Sequence, residues 1–392
     1  MLPIFMGHIT FEQALEKKWN ATREAVAQGD VEKVEQLLTT ISDINYFSNG
    51  SKTTLLAAAA LGGNIDMVQL LLSRGAQIVT DGARGNSALE NAADGGHEQV
   101  MRLLLENGAK VNEEPGPYST GTALQCAAEN GHLSIVQLLV ELSANIEGQV
   151  YAGSSHNWEP ALIRAAESTS EPTAILLLNH GANAKVRSLS GEKAMHIAAK
   201  LGKNDLLIHL LDSGIHPDGR TWAGETALYI AATYGHHDLI PRLSRYGANI
   251  DATIDATAYK LENELETALH LATKNGHEEF VFQLIKTGAK IDSRTSVGKT
   301  ALVCAASYGH SKLMELLLRG GADVDATDDR GRTALALAKA NNRSNTIEVL
   351  SSFGASLLYE PLRDAIVIAG NSLPLSEDDP LFTAWVRGWK VE

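Results

Sequence analysis

Apolar positions in this chain fall into short blocks that come in pairs rather than into long runs. The first block of a pair is small and alanine-rich, as in Ala231-Ala232 or Ala305-Ala306. The second is leucine-rich, as in Leu133, Val136, Leu138 and Leu139, whose spacing puts them on one face of a helix. Glycine punctuates both: Gly-His separates the blocks, at Gly96-His97, Gly131-His132, Gly235-His236, Gly276-His277 and Gly309-His310. Gly-Ala closes the pair, at Gly108-Ala109 and Gly321-Ala322. Each pair therefore reads as helix, turn, helix, then an extended hairpin.

The pairs are phased. Thr267-Ala268-Leu269, Thr300-Ala301-Leu302 and Thr333-Ala334-Leu335 recur every 33 residues. The same phrase stands upstream at Thr54, Ser87, Thr122, Lys193 and Thr226, and as Pro160-Ala161-Leu162 in between. The Thr hydroxyl is placed to cap the first helix by accepting an orphan backbone N–H. The alanine pair lets neighbouring helices approach closely, and the Gly-Ala glycine supplies a left-handed helix end. One such pair cannot bury its own apolar face, but stacked neighbours can.

This phrase resembles the ankyrin repeat, over about residues 20–358. Nine full repeats carry it, and Ala25-Val26-Ala27-Gln28-Gly29-Asp30 with Val34, Leu37 and Leu38 fits a degenerate leading repeat. The resemblance implies an all-α solenoid of stacked helix-turn-helix repeats with projecting β-hairpins. Residues 1–19 are then read as an N-terminal helical cap and 359–392 as a C-terminal helical cap or tail. The family's Thr-Pro-Leu-His phrase has lost its proline throughout, and its His survives only at His196 and His270. The hydrogen bonds that this His makes in the family are expected to be missing in the other repeats.

The array has irregular places. Its spacing widens at Pro115-Gly116-Pro117-Tyr118, at Tyr151 to Glu159 and at Asp251 to Glu264, where inserted loops are expected. Repeat four has Pro160 at its cap and Ser168-Thr169-Ser170-Glu171-Pro172 in place of Gly-His, so it is expected to be the weakest. Pro241, inside a second helix, predicts a local kink. At the N-terminus Thr10-Phe11-Glu12-Gln13 matches a capping box, with Phe11, Leu15 and Trp19 on one helical face. Asp378-Asp379-Pro380 opens a C-terminal helix carrying Phe382, Trp385, Val386 and Trp389.

Composition narrows the function. Aromatics make up 5% of the 392 residues and the formal charge is −14, with no basic run. That balance argues against nucleic acid and against an anionic membrane surface as partners. Two cysteines, Cys126 and Cys304, read as buried small hydrophobes in a reducing compartment. No apolar stretch nears the roughly 20 residues that span a bilayer, and Met1 to Met6 make a poor signal peptide. A cytoplasmic monomer is expected, with the nucleus as the other location. Five of the 13 histidines sit in Gly-His turns, each serving its own turn, so no metal, cofactor or catalytic constellation is read here.

A non-catalytic protein-interaction role is the reading these features favour. An adaptor of a larger assembly is the second: Leu373-Pro374-Leu375 resembles in outline the SOCS box of ubiquitin-ligase adaptors, without its expected Cys. An accessory factor or enzyme of a metabolic pathway is the third. The resemblance implies partner contact on the concave side, made by hairpin tips and first helices. Mapped here, that surface runs from Arg84, Asn86 and Asp94 to a C-terminal group of Trp222, Glu225, Tyr234, Glu264, Glu266, Lys299, Tyr308, Arg330 and Arg332. Trp222, Tyr234 and Tyr308 are the expected anchors, since aromatic and Arg side chains carry most interface energy. Glu264 and Glu266 are expected to pair with a basic segment of the partner.

Overall fold

The computed structural model describes residues 11–41, 43–45, 53–78, 87–113, 115–116, 119–148, 159–254 and 265–355. Among the described residues ten helix pairs follow one another, from Phe11–Gln28 with Val31–Leu38 to Ala334–Ala340 with Ser344–Ser352. Nine full repeats behind a leading pair are what the phased phrase predicts. The first helices of the full repeats are 7 or 8 residues long, too short to persist alone, so packing holds them. Two compact bodies are distinguished, Met1–Trp222 and Ala223–Glu392. The first holds the leading repeat and repeats one to five, the second repeats six to nine.

Caps start the first helices as their sequence dictates. Thr54, Ser87, Thr122, Thr226, Thr300 and Thr333 each accept a backbone N–H from the first turn. The small pairs Ala92-Ala93, Ala127-Ala128 and Ala305-Ala306 are fully buried, where neighbouring helices meet. Cys126 and Cys304 lie buried in the same rows, and burial pushes the Cys126 thiol up to about 12. Between repeats the expected hairpins pair through isolated bridges, Thr253 with Thr267 and Thr327 with Thr333.

The Gly-His histidines correct the sequence reading. Four of the five, His97, His132, His277 and His310, do not serve only their own turns but reach back to the preceding repeat. Within the first body, His97 Nε2 donates to Leu61 O at 2.9 Å and His132 Nε2 to Asp94 O at 3.0 Å. In the second, His277 donates to Thr233 O and His310 to Lys274 O, both at 3.1 Å. The preceding glycine makes the room. Gly63 has φ +69°, and a Cβ there would stand 2.4 Å from the His97 ring. Histidine thus satisfies a carbonyl at the end of a first helix that the helix itself leaves open.

A second correction concerns the histidine lost from the capping phrase. In repeat five, His196 Nδ1 accepts from Lys193 N at 3.0 Å while Nε2 donates to Gly219 O at 2.8 Å. His270 does the same between Thr267 N and Lys299 O. These bonds are not missing in repeats two and three. Gln125 accepts from Thr122 N through Oε1 and donates to Glu159 O through Nε2. Glu90 accepts from Ser87 N at 2.8 Å and from Ser119 Oγ at 3.0 Å.

Repeat four departs as its sequence implies. Pro160 caps its first helix without a side-chain bond. In its turn Ser168 Oγ accepts from Ser170 N, and the buried Lys203 of repeat five donates Nζ to Ala166 O at 2.6 Å and to Ser168 O. Pro241 does not interrupt a helix interior. A 3-10 turn, His237–Leu239, precedes it, and the α-helix Ile240–Arg245 starts with Pro241 in its first turn, where no N–H is required. Trp19 is fully buried in the leading helix. The expectations for Thr10, the side chains of Phe11 and Leu15, Arg84, Asn86, Tyr118, Tyr151 to Trp158, Glu264 and everything from 356 to 392 lie outside the described residues.

Candidate interaction surface

Tyr234 and Tyr308 occupy the last position of their first helices, Ala227–Tyr234 and Ala301–Tyr308. A left-handed glycine follows each, Gly235 at φ 82° and Gly309 at φ 80°, and turns the chain toward the histidine. Tyr234 stacks on His236 with centroids 6.5 Å apart and planes 16° from parallel. Tyr308 stacks on His310 at 6.3 Å and 9°. Because His310 is bonded to the previous repeat, its ring is a fixed platform for the tyrosine. The two tyrosines nonetheless remain 50% and 49% exposed. Side chains this large, half open on rigid supports, give contact area at low ordering cost.

Repeat seven supplies the charge between them. Lys274 Nζ lies 6.0 Å from the Tyr308 ring centroid and 2.8 Å from Glu266 Oε1. Burial works against the ammonium, but the Glu266 carboxylate outweighs it and holds the lysine above its ordinary range. Glu266 itself is 6% exposed, so its carboxylate is the internal counter-ion of Lys274 rather than a surface charge for a partner. Tyr229, half-buried, is pushed up to about 12 by burial and then by the charges of Glu266 and Glu225. Asn275, which stands where repeats six and eight have tyrosine, donates to Thr233 O.

The hairpin tips of repeats eight and nine bring Lys299, Arg330 and Arg332 together. With Val297, Asp328 and Asp329 they line a cavity of about 250 Å³. Arg332 is spent in part on Asp328, whose Oδ2 takes its Nε at 2.8 Å and its Nη2 at 2.7 Å. Burial opposes the Asp328 charge, yet its bonds to Arg332 and to the backbone keep its carboxyl below the usual range. Sequence reasoning missed Asp328; the i, i+4 spacing from Asp328 to Arg332 was the available signal.

Trp222 belongs to the first body. It closes the first body, 48% exposed, with its ring over Gly191, where a Cβ would meet it at 2.3 Å. Glu225 is half-buried, within electrostatic reach of Tyr229. Glu264 lies outside the described residues. Among the described residues no group of three His, Cys, Asp or Glu side chains is placed to hold a metal ion. Nor is any described helix long and apolar enough to cross a membrane.

Comparison with known proteins gives one clear result. A family profile described as ankyrin repeats (3 copies) matches residues 23–115, 85–150, 114–188, 162–254, 195–295 and 269–360. No curated protein matches the chain.

Proposed function

Because the chain belongs to the ankyrin-repeat family, whose repeats are protein-interaction modules, we propose that it binds a protein partner without catalysis, through the tip and first-helix face of its second body. One observation carries this reading: Tyr234 and Tyr308 are half-exposed aromatics held on stacked histidines, in a chain poor in aromatics. Nothing in the repeat requires tyrosine there, since Asn275 fills the same position in repeat seven. Lys274, paired with Glu266, lies beside the Tyr308 ring, and exposed Arg330 adds a positive charge. Trp, Tyr and Arg are the residues in which interface energy concentrates.

Site-specific photo-crosslinking tests the placement. A photoreactive phenylalanine at position 234 or 308 is expected to capture the same partner. The same group at Phe282, 44% exposed on the second helix of repeat seven, should capture none of it. Equal capture from Phe282, or capture from Phe282 alone, would place the partner elsewhere.

A further inference from the structure

The hairpin tips that lead into repeats five and six carry Leu189 and Trp222, 55% and 48% exposed and both within the first body. Each stands two residues before a tip glycine, where the tips of repeats eight and nine carry Ser296 and Asp329. The hairpin therefore does not require an apolar side chain there. The pair is held in place. The Trp222 ring lies on Gly191, at φ +82°, in space that a Cβ would fill. Arg187 Nη1 donates to Gly191 O at 2.5 Å, and Leu189 N donates to Glu159 Oε1 at 3.0 Å.

Carboxylates border this apolar pair. Glu159 holds Leu189, and Glu192, next to Gly191, faces Lys200 Nζ at 3.8 Å. Glu167 is exposed at the end of the helix Ala161–Glu167 and makes no hydrogen bond or ion pair among the described residues. A carboxylate at a helix C-terminus is opposed by the helix dipole, so the helix gains nothing from it. Burial, then the charges of Glu159 and Glu192, hold the Glu167 carboxyl above its ordinary range against Lys200, and Glu129 adds to the rise. Glu129 is itself answered by Arg164 at 2.6 Å. Two cations of the hairpin have places of their own: Arg187 is bonded to Gly191 O and Lys193 lies over Gly219.

We propose that this part of the first body docks a basic segment of a partner protein, with an apolar side chain covering Leu189 and Trp222 and a neighbouring Lys or Arg meeting Glu167 and Glu159. The proposal goes beyond the tyrosine surface and does not depend on it. Charge complementarity names the occupant. A chain of net charge −14 draws in a cationic segment and repels an acidic peptide or a nucleic acid alike. A carboxylate that its neighbours repel gains on meeting a cation, whereas an anion there would add to the repulsion. Trp222 supplies both apolar area and a ring face that attracts cations.

Fluorescence anisotropy of the full chain with a labelled hexapeptide of alternating lysine and leucine tests this. A glutamate–leucine hexapeptide and hexalysine run alongside. The lysine–leucine peptide should bind and weaken as salt is added; the glutamate–leucine peptide should not bind, and hexalysine should bind about tenfold more weakly. Glu159→Gln with Glu167→Gln, which keeps shape and the acceptor for Leu189 N, should weaken the lysine–leucine peptide about tenfold at an unchanged melting temperature. Leu189→Ser with Trp222→Ala should weaken it by about as much. Asp66→Asn with Glu106→Gln removes the same charge from exposed second-helix positions of the same body and should leave the affinity unchanged. Binding of the glutamate–leucine peptide, hexalysine binding as tightly, unchanged affinity in either site pair, or an equal loss in the control pair would overturn the inference. Tyr234→Ala with Tyr308→Ala should leave this binding unchanged, so failure of this surface and failure of the tyrosine surface are told apart.

Discussion

Repeats two and five fold the same phrase around opposite chemistry. Three residues into its first helix, repeat five carries His196 and repeat two carries Glu90, and both hold their own cap while reaching the next hairpin. Burial acts on both, with opposite consequences. It drives the His196 imidazole down to about 4, so the ring stays neutral, as an accepting Nδ1 and donating Nε2 require. It drives the Glu90 carboxyl up to about 7, against hydrogen bonds from Ser87 and Ser119 that favour the anion, and the Glu113 carboxylate adds to the rise. The position thus specifies a bridging job rather than a residue. A side chain that the job explains needs no further role; Tyr234, Tyr308 and Arg330 are not explained that way.

The largest expected effect tests whether the bridge matters. His270 is fully buried, and His270→Ala would leave Thr267 N without its partner, take from Lys299 O one of its two donors while Thr295 N remains, and open a cavity. Urea denaturation should show a loss of about 3 kcal/mol. A loss under about 0.5 kcal/mol would mean that stacking alone couples these repeats.

Glu90→Gln sharpens the contrast through pH. Glu90's folded value near 7 exceeds its ordinary 4.5, so the folded state binds a proton that the unfolded chain releases. Its destabilising charge is fully present above pH 7, and stability rises as pH falls toward 4.5. For His196 the order reverses: its contribution is complete above 6.5 and is lost as pH falls toward 4. Glu90→Gln should therefore stabilise the protein by about 2 kcal/mol at pH 8 and by much less at pH 5. An equal change at both pH values would show that Glu90 does not titrate in that window.

The smallest of the three is Gln125→Ala. It frees Thr122 N and Glu159 O, and about 1 kcal/mol should be lost with no pH dependence between 5 and 8. A pH-dependent loss would assign the neighbouring titration to this repeat instead of repeat two.

What was legible in the sequence was everything local to one repeat. Helix pairs, caps and left-handed glycines follow from spacing and from the few side chains that cap or permit positive φ. Bonds between repeats were not legible, because the partner of His97 or Lys203 is a backbone carbonyl 36 or 37 residues away that any residue type supplies. Gln125 and Glu90 were overlooked for the same reason: the phrase was read for histidine, not for an acceptor in reach of the cap. Glu266 looked like a surface charge because only the fold brings Lys274 across to cover it. The exposed tyrosines stood out because they depart from the repeat without a structural need.

That departure carries the functional account, and one experiment confronts it directly. Tyr234→Ala with Tyr308→Ala should weaken the partner captured by crosslinking by about 2 kcal/mol or more, roughly thirtyfold. Both side chains are half-exposed and cap no helix, so the urea midpoint of the same preparation should move little. Unchanged partner affinity with a clearly lowered midpoint would contradict the account and make these tyrosines packing residues.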